Sequence, residues 1–119
     1  VLPGIAWDVI VAGDDVVNRK PDPEVFTTVL DGLGFDGPQG TLVIEDSAEG
    51  LAAARAAGLC CAVVVNGYTA DHDLEGADLV VDGFGEPGEP ARVVADPHGL
   101  GCTGILDAAL LRRLLDRPR

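Results

Sequence analysis

The stretch TLVIEDSAEGLAAARAAG, Thr41–Gly58, constrains the fold of this chain more than any other part of the sequence. Its apolar start ends abruptly in two carboxylates, Glu45 and Asp46, and an alanine-rich segment follows Ser47. The pattern predicts a buried strand and then a helix that Ser47 caps. Ligands of open α/β sheets bind at the carboxyl ends of strands, and hard cations take carboxylate oxygens, so the acidic pair is a candidate divalent-metal site. The alternative is that both acids only end the strand and cap the helix.

The rest of the chain continues an alternation of strands and helices. A single apolar stripe predicts a helix that Asp22 caps and Gly34 ends, and Thr103 is predicted to cap a last helix. Asp82–Gly101 is rich in glycine and proline and shows no period, so we expect a loop there. Short apolar runs predict three further strands: Trp7–Ala12, Cys61–Val65 and Ala77–Val81. This order predicts an α/β fold with a mostly parallel sheet and flanking helices.

Length and charge restrict the class of protein. At 119 residues the chain forms one domain at most, and 47% hydrophobic residues suffice for a packed core. A formal charge of −12 argues against nucleic acid or an anionic membrane as a partner, because both attract basic surfaces. No apolar run approaches transmembrane length, no signal peptide opens the sequence, and three cysteines suit a reducing compartment better than a disulfide framework. We therefore expect a soluble domain in the cytoplasm, or in the stroma of an organelle.

Two segments carry a resemblance to a known family. They are NRKPDPEVF, Asn18–Phe26, and VIEDSAEGLAAARAAG, Val43–Gly58. Together they resemble the third and fourth motifs of the haloacid dehalogenase-like (HAD) hydrolase superfamily. The Lys-Pro-x-Pro-x-x-Phe and Glu-Asp-Ser-x-x-Gly forms look most like the branch related to β-phosphoglucomutase. The CbbY-type sugar-phosphate phosphatases of that branch are similar to the tail NGYTADHDLEGADLVVDGFGEPGEP. The resemblance extends from Trp7 to Leu115.

The resemblance implies a Rossmann-like core and a Mg²⁺-dependent phosphatase that acts on a small phosphorylated sugar through an aspartyl-phosphate. It assigns Lys20, the only lysine in the chain, to hold the phosphate and the attacking aspartate together as charge develops. Asp46 would bind Mg²⁺, with Glu45 as a second or water-mediated ligand. Ser47 and the helix behind it would order the acidic loop. Phosphoryl transfer depends chiefly on positioning and on positive charge around the phosphoryl oxygens, which such a site supplies.

The remaining polar residues are weaker candidates. Asp14 and Asp15 follow a predicted strand and could face the same crevice, although acids are common in turns. Arg19 could touch phosphate or be a solvated neighbour of Lys20. His98 lies in the predicted loop and indicates no site. The cysteines lack redox or metal spacing and have no basic neighbours, so we expect them to pack in the core.

Several parts of the HAD pattern do not occur in these 119 residues. The aspartate nucleophile of the family lies in an Asp-x-Asp-Gly-Thr segment, which is absent here, as are the Ser/Thr of the second motif and the helical cap domain. We therefore expect residues 1–119 to be the C-terminal part of a HAD core domain, without its first two strands and inactive alone. The missing N-terminal half is then a candidate partner.

Three other functions stay open on the sequence. One is a sugar phosphomutase of the same family, because the choice between phosphatase and phosphomutase activity depends on residues near the nucleophile and on the cap domain. Another is a non-catalytic HAD remnant that binds metal or a partner chain through its open sheet edges. The third is a receiver-like phospho-acceptor, suggested by Asp14, Asp15 and a lysine; in receiver domains, however, the lysine follows the last strand, whereas Lys20 comes almost at once. The P-loop and dinucleotide fingerprints are absent, which disfavours nucleotide binding.

Overall fold

A sheet of four strands organises the described part of the chain, which in this computed structural model comprises residues 9, 11–67 and 73–117. The strands are β1 (Leu42–Glu45), β2 (Cys60–Val64), β3 (Leu79–Val81) and β4 (Val93–Ala95). They lie in that order across the sheet; β1, β2 and β3 are parallel, and β4 is antiparallel to β3. Because parallel strands point the same way, the carboxyl ends of β1, β2 and β3 meet at one end of the sheet.

Three α-helices of the described residues flank this sheet: α1 (Glu24–Leu33), α2 (Ala48–Ala56) and α3 (Ala108–Asp116). The helix α1 starts one residue later than predicted, with Pro23 rather than Asp22 at its cap position, although the carboxylate of Asp22 accepts a hydrogen bond from the amide of Glu24 at 2.9 Å; Gly34 ends α1 as predicted. Ser47 caps α2, because its Oγ accepts a hydrogen bond from the amide of Gly50 at 3.1 Å. The prediction of an α/β fold with a mostly parallel sheet and flanking helices is confirmed.

Side chains at alternate strand positions fill two core layers, one on each face of the sheet. The layer beneath α1 and α2 contains Leu30, Val43, Leu51, Val63 and Val80. The layer beneath α3 contains Ala62, Leu79, Val81, Leu110 and Leu114. Because β2 is covered on both faces, its sequence CCAVV is a continuous apolar run rather than an alternating one.

The adjacent cysteines pack in the core, as predicted. Cys60 and Cys61 are buried in β2 and belong to the layers on opposite faces of the sheet. The pKa of the Cys61 thiol is raised to about 12, chiefly by burial and also by the nearby carboxylates of Glu45 and Asp78. At neutral pH this thiol is protonated and is a poor nucleophile.

The start of the last helix differs from the prediction. The helix α3 begins at Ala108, and its cap is Asp107 rather than Thr103. The carboxylate of Asp107 accepts a hydrogen bond from the amide of Leu110 at 2.9 Å, which satisfies a donor of the first turn. Residues 101–107 lie outside the helix. Both Thr103 and Asp107 are good capping residues, and the apolar period alone did not decide between them.

The predicted loop Asp82–Gly101 contains a strand that the prediction missed. The strand β4 pairs with β3, and Val94 at its centre remains 46% exposed. An edge strand of three residues is too short to show an alternating pattern in the sequence. The missed strand β4 lies at one edge of the sheet. The three parallel strands were predicted, and their order is unaffected by it.

The predicted strand Trp7–Ala12 lies largely outside the described residues. Of that segment Val9, Val11 and Ala12 are described, and they lie outside regular secondary structure. A 3-10 turn, Gly13–Asp15, follows them. None of the helices in the described ranges combines the length and the apolar character needed to cross a bilayer.

Candidate functional site

A crevice of about 530 Å³ opens at the carboxyl end of the parallel strands. Residues from both sequence motifs line it, together with residues that follow β2 and β3: Lys20, Glu45, Asp46, Val65, Asn66 and Phe84. The structure therefore brings the predicted site residue Lys20 together with Glu45 and Asp46, which lie at least 25 positions later in the sequence. This is the position at which open α/β sheets bind ligands.

Lys20 forms an ion pair with Glu45 in this crevice. Its Nζ lies 2.5 Å from Oε2 of Glu45, and the two side chains are 37% and 9% exposed. The same Nζ lies 5.3 Å from the centroid of the Phe26 ring, within the range of a cation–π contact. Phe26 is in the first turn of α1, so the KPDPEVF segment supplies both the ammonium group and a support that holds it in place.

The carboxylate of Glu45 is held against the amino-terminal turn of α2. A Cβ atom at Gly50 would overlap this carboxylate, so only glycine leaves room for it. The amide of Asp46 donates a hydrogen bond to Oε1 of Glu45 at 3.3 Å. Ser47, which caps α2 through the amide of the same glycine, orders the turn between the strand and the helix. These contacts explain why the acid, the cap and the glycine occur in one Glu-Asp-Ser-x-x-Gly segment.

Asp46 differs from Glu45 because its side chain is exposed to the crevice. Within the described ranges its carboxylate makes no hydrogen bond or ion pair, and no cluster of three His, Cys, Asp or Glu residues is placed to hold a metal ion. Mg²⁺ commonly binds through one or two carboxylates, with waters and substrate phosphate as the other ligands. Asp46 fits such a cation directly. Glu45 would share its carboxylate between the metal and Lys20.

The other predicted site residues lie outside this crevice. Nη2 of Arg19 is 2.6 Å from Oδ1 of Asp14, and the two side chains are 70% and 90% exposed. Oδ2 of Asp15 accepts a hydrogen bond from the amide of Ala12 at 2.8 Å and so closes the local turn. Asp14 and Asp15 therefore end and cap their own segment, while Arg19 lines a neighbouring depression next to Lys20.

Three residues near the crevice were given no individual role from the sequence, although Gly50 ends the Glu-Asp-Ser-x-x-Gly motif. Asn66 and Phe84 line it directly, and Gly50 makes room for Glu45. Asn66 and Phe84 follow β2 and β3. Their signal in the sequence was therefore the same as that of Glu45, a position at the carboxyl end of a parallel strand. The signal for Gly50 was a glycine inside a strong helix pattern, which often marks a close approach.

Comparisons with known proteins agree with this fold. The CBBY-like protein of Arabidopsis thaliana is 52% identical over 80 residues, which are 67% of this chain and 25% of that protein. Protein CbbY of Cereibacter sphaeroides is 42% identical over 82 residues, which are 69% of this chain and 35% of that protein. The chain thus spans about a quarter to a third of the length of the curated relatives that it matches.

A solved structure and a family model complete the comparison. A CbbY variant from Rhodobacter sphaeroides, in complex with xylulose-(1,5)bisphosphate, matches with a TM-score of 0.61 and 41% identity over 64% of this chain and 33% of that one. The model of the haloacid dehalogenase-like hydrolases matches residues 5–64, which include the lysine and the acidic pair of the crevice. With half of its length matched, this chain belongs to the haloacid dehalogenase-like hydrolase family.

Proposed function

We propose that this chain is the phosphate- and metal-binding part of a Mg²⁺-dependent phosphatase that acts on a small phosphorylated sugar. The observation that carries the proposal is the crevice in which Nζ of Lys20 lies 2.5 Å from Oε2 of Glu45 and which the exposed Asp46 also lines. The name and bound ligand of the related CbbY structure support a sugar phosphate as the substrate class. The family membership supports hydrolysis as the reaction.

The residues of the crevice have separate tasks in this proposal. The ammonium group of Lys20 neutralises charge on the phosphoryl oxygens, and Glu45 and Phe26 keep it in position. The carboxylate of Asp46 would hold Mg²⁺, which would add positive charge at the same oxygens. Phosphoryl transfer needs this positioning and charge more than it needs covalent chemistry from the rest of the site.

The nucleophile is an aspartate outside these 119 residues. Its carboxylate oxygen forms a bond to phosphorus while the bond from phosphorus to the sugar oxygen breaks, and the sugar leaves as an alcohol after taking up a proton. Water then attacks the phosphorus of the aspartyl-phosphate and releases inorganic phosphate. Lys20 is placed to contact the phosphoryl group in both steps, because its Nζ faces the crevice.

The test is phosphate release by the protein expressed from its complete reading frame, with a panel of sugar monophosphates and bisphosphates. We expect turnover that needs Mg²⁺ and that Lys20→Ala lowers about 100-fold, because a charged group at the developing charge is removed. Arg92→Gln, a change at an arginine whose side chain is 76% exposed and does not line the crevice, is the control and should leave turnover unchanged. Equal turnover of the Lys20→Ala and parent proteins would show that the crevice is not the active site.

The free edge of β1 favours a second candidate, a non-catalytic protein that binds another chain. Among the described residues β1 pairs only with β2, and Ile44 in this strand is 44% exposed. An unpaired edge is a template for a further strand. We expect the 119-residue chain purified alone to show no Mg²⁺-dependent turnover, and measurable turnover would contradict the placement of the nucleophile elsewhere. If the complete protein is also inactive on every substrate, the binding function becomes the better explanation.

A further inference from the structure

A second pocket, of about 430 Å³, lies at the opposite end of the sheet from the crevice. It opens beside the amino ends of β2 and β3, where Leu59 and Asp78 precede these strands. Three basic side chains line it together with Asp78: Arg55, His98 and Arg117. The chain has a formal charge of −12 and only eight lysines and arginines. Several basic groups gathered in one concave site therefore indicate a place that attracts an anion.

Asp78 fixes two of these basic groups in place. Its Oδ1 accepts hydrogen bonds from Nε2 of His98 at 2.8 Å and from Nη2 of Arg117, and its Oδ2 accepts one from the amide of Cys61 at 2.8 Å. Burial alone would raise the pKa of Asp78, but these hydrogen bonds outweigh it and hold the pKa below its usual range. The carboxylate is therefore ionised at neutral pH, and it orients both partners.

Arg117 keeps an unused donor after this pairing. Its side chain is only 13% exposed, and its Nε is buried with no hydrogen-bond partner among the described residues. A guanidinium group carries five N–H donors in a fixed plane, and a buried donor without a partner is unfavourable. Because Arg117 also lines the pocket, its guanidinium charge favours an anion bound there.

Arg55 reaches the pocket because of a glycine. Its Nη1 donates to the carbonyl of Glu75 at 3.3 Å, and its guanidinium lies against Gly76. Gly76 has φ +89°, a conformation that side chains rarely adopt, and a Cβ atom there would overlap the guanidinium. The guanidinium group of Arg55 thus packs on the turn before β3, and this contact holds Arg55 at the pocket.

We propose that this pocket is a binding site for a phosphate-type dianion, either free inorganic phosphate or the phosphate group of a metabolite. Two guanidinium groups and an imidazole surround it, and a single carboxylate offsets one of their charges. Guanidinium groups bind phosphate through paired hydrogen bonds, which suits a shallow site with fixed donors. The inference is independent of the proposed phosphatase activity, because it rests on residues at the other end of the sheet.

The test measures the binding of inorganic phosphate by isothermal titration calorimetry, with the protein expressed from its complete reading frame. The Lys20→Ala background removes the cation of the crevice, so the remaining phosphate binding reports on the second pocket. We expect Arg55→Gln to weaken this binding about tenfold, the effect of losing one charged hydrogen bond. His98→Gln should also weaken it. The control is Arg112→Gln, because Arg112 is exposed on α3 and does not line the pocket.

Two results would overturn the proposal. One is a loss of all phosphate binding in the Lys20→Ala protein, which would place the only anion site in the crevice. The other is an equal weakening by Arg55→Gln and Arg112→Gln, which would indicate a general effect of charge. Thermal unfolding of each variant establishes that it is folded before binding is measured. A parallel titration with ribose 5-phosphate separates the two sources of the anion: tighter binding than inorganic phosphate identifies a metabolite, and equal binding identifies the free ion.

Discussion

The two ends of the sheet carry sites of opposite character. At the carboxyl end Lys20 pairs with Glu45, and the carboxylate of Asp46 has no partner among the described residues. At the amino end a single carboxylate, Asp78, lies among three basic side chains, Arg55, His98 and Arg117. Among the described residues the first end has a carboxylate without a partner and suits a cation, while the second has more basic groups than carboxylates and suits an anion. A motif encodes the first site, whereas chain segments without any shared pattern assemble the second.

The largest effect is expected at the carboxyl end of the sheet, where the proposed function needs a metal ion. We expect Asp46→Asn to lower Mg²⁺-dependent turnover of the complete protein about 100-fold or more, because a neutral amide is a poor ligand for a hard cation. Activity should then require much more Mg²⁺. Asp36→Asn is the matched control, since Asp36 is an exposed acid in the loop before β1. Full activity of the Asp46→Asn protein at low Mg²⁺ would refute the assignment of this carboxylate to the metal.

A pair of glycines gives the next largest effect. Gly50→Ala would push a methyl group into the Glu45 carboxylate, so we expect turnover to fall about tenfold through misplacement of Lys20.

Gly76→Ala should leave turnover unchanged, destabilise the fold by about 1–3 kcal/mol and weaken phosphate binding at the second pocket. Gly88→Ala introduces a similar backbone strain, φ +87°, into open space and is the control. If it weakens phosphate binding as much as Gly76→Ala, displacement of Arg55 is not the cause.

The acid dependence of stability should report on the second pocket. The pKa of Asp78 is lowered from 3.8, because its hydrogen bonds outweigh the effect of burial. A carboxylate with a lower pKa in the folded state stabilises the fold above its unfolded pKa, and this stabilisation is lost as the pH falls through the folded pKa. We therefore expect the free energy of unfolding to decrease below pH 3.8, and to decrease less steeply in Asp78→Asn. Denaturant titrations at several acidic pH values measure this slope.

Some of the slope should remain in the Asp78→Asn protein. The pKa of Asp96 is lowered as well, since hydrogen bonds from the amides of Leu100, Gly101 and Cys102 outweigh its desolvation. A second substitution, Asp96→Asn, should remove part of the remainder. An unchanged slope in Asp78→Asn would mean that this carboxylate is not held by the contacts described for it.

The smallest effect is expected at the exposed ion pair. Arg19→Gln removes a contact between side chains that are 70% and 90% exposed, and such pairs contribute little to stability. We expect neither the midpoint of thermal unfolding nor the turnover of the complete protein to change measurably. A marked loss of turnover would show that Arg19 enters the crevice when substrate binds.

Much of the fold was predictable because local signals and tertiary packing agree. The stripe of α1, the cap of α2 and the apolar run of β2 are each read from consecutive residues, and each is present in the structure. The edge strand β4 was not predictable, because three partly exposed residues carry no period. The start of α3 was misplaced since two good caps lie four residues apart, and the helix begins after the later one.

The same distinction applies to the sites. The motifs predicted that Lys20, Glu45 and Asp46 would share one crevice, and the structure brings them together. They did not predict that Lys20 would bind Glu45 directly, because that contact joins two segments 25 positions apart. His98 showed no pattern at all, since its partner Asp78 lies twenty positions earlier in the sequence. Contacts between distant segments are set by the fold, and a single sequence contains no local trace of them.

The close approach of Glu45 to Gly50 makes the two positions inseparable in any set of variants. The space that a methyl group would need at position 50 is the space that the last methylene of Glu45 and its carboxylate now occupy. A shorter acid at position 45 would vacate part of that volume, and alanine at position 50 would then meet less opposition. The strand and the helix are thus coupled in their permitted side-chain lengths. A substitution scored at one of these positions has a meaning only when the residue at the other is stated.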